Sequence, residues 1–524
     1  MGASRGLRPG RLARLGAALP LPLRRRAERL PGPLAPPVPA GTRTPRVAII
    51  GTGFGGLGMG ARLLQAGIDT FTIFEKADRV GGTWRDNTYP GAACDVPSHL
   101  YSLSFVPNPE WSRKFPTQPE IQAYLESIPG RTGTSDHIQL GVEVRSARYD
   151  DDTRTWRVTV ADESGERTED FDAVVAATGQ LNRPHLPDVE GLDGFHGPVF
   201  HSARWDHDLD LTGRHVGVVG IGASAIQFVP AIADRVGSLT LFQRSSNYVG
   251  PKADAPLSAR ARRLLRIGPL RKAYRFSIWA RFDARFLALR QGSLLGRLGQ
   301  DMFRKGLEPL VGDKLTREAV VPDYPLGCKR ILIANDWYPT LLRSNVTVVS
   351  GGVERVDGDA VVVGGERYPV DTLIFGTGFE STGFLAPITV TGRNGADLHE
   401  AWADGAEAHL GITVSGFPNL FLLYGPNTNL GHNSIIFMLE RQISYALTCI
   451  RTLVDGGRPL DVRPGAQAAS NRRLQRELAR TVWAASCHSW YKTATGKITN
   501  NWSGTTLRYG LRTARVRWTD FDRV

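Results

Sequence analysis

Cysteine is scarce in this chain. There are four in 524 residues (Cys94, Cys328, Cys449 and Cys487), far apart and without a C-x-x-C pair. That spacing spells neither a disulfide framework, nor a zinc knuckle, nor the redox dithiol of a disulfide reductase. A reducing, cytoplasmic setting is the simpler expectation. The 11 histidines are scattered, with no metal-ligand spacing of the H-x-x-E-H kind. No run of about 18 apolar residues occurs, so no integral membrane segment is expected.

Acidic residues are missing from two stretches. Residues 1–46 hold ten Arg and one Glu, which accounts for most of the net charge of +13. Leu15 to Leu23 is apolar but carries two prolines and runs into Arg24-Arg25-Arg26, too short and too broken for a secretory signal. Residues 1–44 are expected to be a disordered basic extension. From Arg260 to Arg290 there are ten Arg or Lys against Asp283 alone, with Leu, Phe and Trp279 interleaved. This run reads as helix with a solvated basic face. Peripheral membrane contact, or a place near a nucleotide phosphate, is left open, and nucleic acid is not expected as a partner.

Glycine is abundant, 58 residues in all, and its placement is informative. Val47–Ile50 reads as a buried strand, Gly51-Thr-Gly53-Phe-Gly55-Gly56 as a tight turn, and the residues to Gln65 as a helix. Missing side chains let backbone N–H groups reach a pyrophosphate at a helix N-terminus. A second strand, Thr70 to Phe74, ends in Glu75, placed to accept hydrogen bonds from a ribose diol. The pattern recurs: strand His215–Val219, turn Gly220-Ile-Gly222-Ala-Ser224, a helix through Gln227, then strand Leu239–Phe242 ending in Gln243-Arg244. Gly51 to Glu75 and Gly220 to Arg244 are both 24 residues. A carboxylate in that slot repels a ribose 2′-phosphate and a guanidinium favours it. The first cradle therefore reads as FAD-binding and the second as NADPH-binding.

The expected fold is α/β, with two Rossmann-like dinucleotide-binding domains, the NADP domain inserted in the FAD domain. The FAD domain comprises 45–182 and 371–524; the NADP domain is 183–370, with a helical insert at about 253–318. The strand runs that end in Thr178-Gly179 and Thr377-Gly378 bracket the second cradle, and helix Ser434 to Leu453 is expected to close the FAD domain.

Three segments carry a resemblance. Phe195-His-Gly197-x-x-x-His201-x-x-x-Trp205-Asp206 matches every fixed position of F-x-G-x-x-x-H-x-x-x-W-[P/D]. Gly81-Gly82-Thr83-Trp84 is followed by Tyr89-Pro90-Gly91 and Asp95, and Gly327-Cys328-Lys329-Arg330 lies further on. The chain from about 45 to 520 resembles the type I Baeyer–Villiger monooxygenases, class B flavoprotein monooxygenases. The resemblance implies an FAD- and NADPH-dependent enzyme that inserts oxygen from dioxygen next to a ketone carbonyl through a C4a-peroxyflavin, giving an ester or lactone. It assigns the main catalytic role to Arg330, with Asp95 pairing with it, and NADP contact to Lys329. Thr83, Trp84, Asp95 and Tyr101 join Gly51, Gly53, Gly56 and Glu75 around FAD. Gly220, Gly222, Ser224, Gln227, Arg244 and Ser245 join Lys329 around NADP. His201 is read as a positioning residue, Trp205 as a packing anchor, and the exposed-looking stretch Cys487 to Tyr491 as part of a loop that closes over substrate. The rival reading is N- or S-oxygenation, as in flavin-containing monooxygenases, which requires no arginine. A membrane or nucleic-acid binder on a vestigial flavin fold is a third.

Overall fold

Val47–Ile50, buried throughout, is the central strand of a five-stranded parallel sheet. Its neighbours are Phe71–Glu75 on one side and Ala173–Ala176 on the other; Ile138–Leu140 and Leu420–Leu422 form the edges. Such continuous apolar runs suit a parallel sheet covered on both faces. Alternate residues feed two cores. Val47, Ile49 and Ile73 pack with helices Phe54–Gln65 and Ile435–Ile450, whereas Ala48, Ile50 and Phe74 pack with an antiparallel sheet at 143–171. The structure, a computed structural model, describes residues 36–487 and 489–524. Most of the expected N-terminal extension, residues 1–35, lies outside that range. Residues 36–44 pack against the first sheet's unit: Val38 N–H donates to the Ala66 carbonyl, and Arg451 donates to that of Pro36.

A second parallel sheet runs Val346–Ser350, Ser238–Gln243, His215–Val219, Thr372–Phe375, Val199–His201. Helix Ala225–Ile232 covers one face, and a three-stranded antiparallel sheet at 355–369 covers the other. The expected return to the first unit at 371 is therefore too early. Thr372–Phe375 pairs in register with His215–Val219 and Val199–His201. The two Thr-Gly strands are counterparts, each beside the central strand of its own sheet, because each cradle needs a neighbouring strand on its far side. The chain crosses between units twice, and the crossings run alongside one another. His185 N–H donates to the Gly378 carbonyl at 2.9 Å and Glu380 N–H to that of Arg183 at 3.0 Å.

The helical insert comprises Ala259–Leu265, Gly268–Ala284 and Leu294–Leu307. It is fastened to the first unit. The Arg275 guanidinium donates to the carbonyls of His99 and Ser102 at 2.7 Å each and faces buried Glu440 at 3.5 Å. Asp283 accepts from the Thr506 N–H and hydroxyl, both at 2.7 Å, at the start of helix Thr506–Arg512.

The cysteine expectation fails for one pair. Cys328 and Cys487 form a disulfide across 159 residues, joining the segment that carries Arg330 to the C-terminal stretch; Cys94 and Cys449 are buried free thiols. No helix among the described residues is long and apolar enough to cross a membrane.

Candidate active site

The two glycine turns have the same geometry. Gly51 and Gly220 both have φ +100°, a conformation that favours glycine. A Cβ at Gly51 would lie 2.8 Å from the Ala177 carbonyl oxygen, and one at Gly220 would lie 2.7 Å from that of Gly376. A Cβ on Gly56 would drive into the Gly51 carbonyl. The space above Gly53 is open, so the first helix presents bare backbone to whatever lies there.

One cavity of about 860 Å³ runs past both turns, a size that ligand pockets take. It is lined by Gly51, Gly53, Glu75, Thr83, Trp84, Asp95 and Tyr101 from the first unit. From the second it is lined by Gly220, Gly222, Ser224, Gln227, Arg244, Ser245, Lys329 and Arg330. Gly56 lies behind the turn. The five fingerprint residues line none of it.

The ends of the two cradles differ as the sequence implies. Glu75 is buried. One carboxylate oxygen accepts from the Thr52 N–H at 3.0 Å and hydroxyl at 2.6 Å; the other meets Arg85 at 2.9 Å. Burial works against the Arg85 charge, but Asp86 and Glu75 hold its pKa above the ordinary value. Arg244 is exposed and, among the described residues, in no ion pair. Beside it, Lys329 Nζ donates to Ser245 Oγ at 2.6 Å and lies 4.6 Å from the centre of the Tyr324 ring. Burial and the nearby Arg244 charge lower the Lys329 pKa. Two neighbouring cations, neither in an ion pair among the described residues, fit a phosphate. The open backbone, the cavity and the two contrasting slots fit FAD at the first cradle and NADP at the second.

Between the cradles, Arg330 faces Asp95, with Nη2 2.5 Å from Oδ2. Asp95 raises the Arg330 pKa against the effect of burial, so the guanidinium stays charged. Both side chains are partly open to the cavity. The geometry gives a fixed positive charge at the junction of two nucleotide sites.

Gln227 departs from expectation. Its amide oxygen accepts from the Tyr89 hydroxyl at 3.1 Å and the Ala93 N–H at 3.2 Å, and its nitrogen donates to the Ala93 carbonyl. It pins the second cradle's helix to the first unit's 89–93 loop. Tyr101 accepts from Trp84 Nε1 at 3.1 Å, which fixes both rings against the cavity.

The fingerprint is scaffold. His201 is buried, its Nδ1 accepts from the Ala203 N–H at 3.1 Å, and burial lowers its pKa to about 4. It is thus a neutral structural acceptor. Trp205 packs edge-on against Phe200 and tilted against Phe228, each at 5.3 Å. Asp206 caps its own turn by accepting from Asp208 and Leu209. Gly197 lies against the Asp371 carbonyl where a Cβ would not fit, and Phe195 packs with the second sheet.

Relatives decide the family. The flavin-binding monooxygenase-like model matches residues 44–252. A Baeyer–Villiger monooxygenase of Streptomyces coelicolor is 44% identical over 483 residues, spanning 91% of this chain and 92% of the relative. The chain belongs to the Baeyer–Villiger monooxygenase family. A second member, from Pseudomonas aeruginosa, is 43% identical over 478 residues, 90% of each protein. Among solved structures, closed cyclohexanone monooxygenase superposes with a TM-score of 0.82 at 27% identity, covering 92% of this chain and 99% of that one. Oxidized steroid monooxygenase bound to NADP gives 0.80 at 29% identity, covering 92% and 100%.

This family member also brings to the site residues that its motifs do not name. Tyr424 has φ +64°, and its hydroxyl donates to Asn429 Oδ1 at 2.6 Å. Burial pushes its pKa up while Arg330 pulls it down. A sequence signal marks it: Tyr424 stands between the short apolar strand Leu420–Leu422, extended by Leu423, and the turn Gly425-Pro426-Asn427. Trp490 lines the cavity, and Tyr491, expected to be exposed, is buried 4.5 Å from the Trp490 ring.

Proposed function

We propose that this chain binds FAD at the Gly51 cradle and NADPH at the Gly220 cradle, and inserts one oxygen atom of dioxygen next to a ketone carbonyl, giving an ester or lactone. The observation that carries the reading is the Arg330–Asp95 pair, opening into one cavity between two cradles of opposite charge preference. Held there, FAD would supply the hydride acceptance and dioxygen activation that no amino-acid side chain provides. The chain's own residues hold and orient. Gly51 and Gly53 offer backbone to the FAD pyrophosphate, Gly56 lets the helix close tightly on the turn behind it, and Glu75 accepts from the FAD ribose; Thr83, Trp84 and Tyr101 face the flavin end. Gly220, Gly222 and Ser224 take the NADP pyrophosphate, and Arg244, Lys329 and Ser245 its 2′-phosphate. Arg330, kept charged by Asp95, stabilises negative charge developing at the reacting oxygens. Trp490, Tyr424 and the adjoining C-terminal stretch keep water from that point.

Oxygenation at nitrogen or sulfur needs no fixed guanidinium, so Arg330 favours the ketone reaction. The domain division that goes with this reading is an FAD unit of 45–182 and about 380–524, enclosing an NADP unit that carries the insert at about 253–318.

The test is product analysis. FAD-loaded protein given NADPH, air and a panel of ketones and thioethers is expected to form esters or lactones. Arg330→Ala is expected to lose at least about 10³-fold of that activity while NADPH still bleaches the flavin. Sulfoxides alone, with every ketone recovered, would falsify the reading.

A further inference from the structure

Helix Leu294–Leu307 packs only Phe303 and Leu307 of its large apolar residues inward and turns the other four outward. A surface helix ordinarily turns its apolar stripe to the core. Here Leu294, Leu295, Leu298 and Met302 share the solvent face, Met302 at 75% exposure and Leu294 at 64%. The inner side carries Phe303, edge-on to Tyr248 at 5.4 Å, and buried Leu307, together with small and polar contacts: Gly296 lies against the Ala288 carbonyl and Gly299 against Leu326, and Gln300 accepts from the Leu326 N–H. Leu287 is exposed next to the helix start, where its carbonyl accepts from the N-cap Ser293 hydroxyl. Among the described residues, eight of the fifteen exposed large hydrophobics fall between 264 and 302.

The charge is equally concentrated. Residues 260–305 hold 13 Arg or Lys against Asp283 and Asp301, a net +11. The chain outside 1–46 and 260–305 nets −7. Of those 13 cations, only Arg266 and Arg275 form ion pairs among the described residues. Arg297 and Lys305 flank the apolar stripe on its own face.

We infer that this face docks on an anionic phospholipid bilayer. Apolar side chains that enter the headgroup region, with Arg297 and Lys305 beside them to meet the lipid phosphates, are what such a surface recognises. Nucleic acid requires the cations but leaves the leucines without a partner. A two-fold contact with a second copy would set the same cations against themselves. The inference does not depend on the reaction catalysed.

The experiment is co-sedimentation of full-length, FAD-loaded protein with vesicles of phosphatidylcholine alone or with about 30% phosphatidylglycerol. Binding is expected only to the anionic vesicles and is expected to be lost in about 0.5 M salt. Leu294→Gln/Leu298→Gln/Met302→Gln is expected to weaken binding at least roughly tenfold, with retained flavin and unchanged NADPH oxidation. Should that variant lose its flavin, Arg297→Glu/Lys305→Glu gives an independent reading and is expected to weaken anionic binding by a similar factor. Wild-type protein that stays in the supernatant overturns the inference. So does a folded triple variant that binds like wild type, which would leave the N-terminal arginines as the anchor. Loss of a dimer in sedimentation velocity, with no change on vesicles, overturns it in favour of a second copy.

Discussion

At Gly51 and at Gly220 the chain turns with one φ, +100°, each time against a carbonyl of the strand on its far side. Twenty-four residues on, the first cradle ends in a buried carboxylate held by Thr52 and Arg85 and the second in an open guanidinium. Backbone serves what two dinucleotides share, and side chains serve what separates them. The difference in burial is as telling as the difference in sign. Glu75 is oriented by internal partners before any ligand arrives, as befits a cofactor that stays. Arg244 keeps its hydrogen bonds for an anion from solution, as befits one that is exchanged.

The largest effect separates the cradles outright. Gly51→Val is expected to leave the purified protein colourless, because its side chain would overlap the Ala177 carbonyl. Gly220→Val is expected to keep the yellow flavin and lose reduction by NADPH; absorbance and stopped-flow bleaching read the two. Next comes Glu75→Leu. Breaking a buried pair leaves Arg85 without its partner, and a loss of about 3–5 kcal/mol is expected, seen in urea unfolding together with released flavin. Arg244→Ala removes charge-assisted hydrogen bonds and is expected to raise the KM for NADPH about 10- to 100-fold, leaving the KM for NADH and the flavin content unchanged. An equal rise for both nucleotides would dissolve the distinction between the cradles.

The smallest effect is acid sensitivity lodged in the second unit. Burial lowers the His201 pKa to about 4, below the ordinary value of about 6.5. The unfolded chain therefore binds the extra proton first. The stability His201 contributes is complete above pH about 6.5 and is lost as pH falls toward about 4. His201→Gln is expected to flatten the fall in unfolding free energy over that window, by on the order of 1 kcal/mol at pH about 5.5, read by urea unfolding.

Both cradles were legible because strand, glycine turn and helix are local. Val47–Ile50 and His215–Val219 lie where the apolar runs put them, and all but Gly56 of the expected catalytic and cofactor-binding residues line one cavity. What the sequence concealed is non-local. Thr372–Phe375 carries an apolar run and a Thr-Gly end that suit either sheet; only pairing with His215–Val219 assigns it. Gln227 sits at a nucleotide-facing position, yet Tyr89 and Ala93, more than 130 residues earlier, take up its amide. The Cys328–Cys487 bridge spans 159 residues, beyond any spacing rule. Tyr491 looked exposed because Ser489, Lys492 and Thr493 lie close to it in the chain, whereas Phe286 and Met438, far off in the chain, share its core cluster.

The nesting of the two sheets also sets an order of assembly on the ribosome. Every strand of the inner sheet has been synthesised by Phe375, while the outer sheet still lacks its edge, Leu420–Leu422, and the covering helix Ile435–Ile450. The unit that begins first is thus the last to close, and a nascent chain halted between those points carries a finished inner layer inside an unfinished outer one.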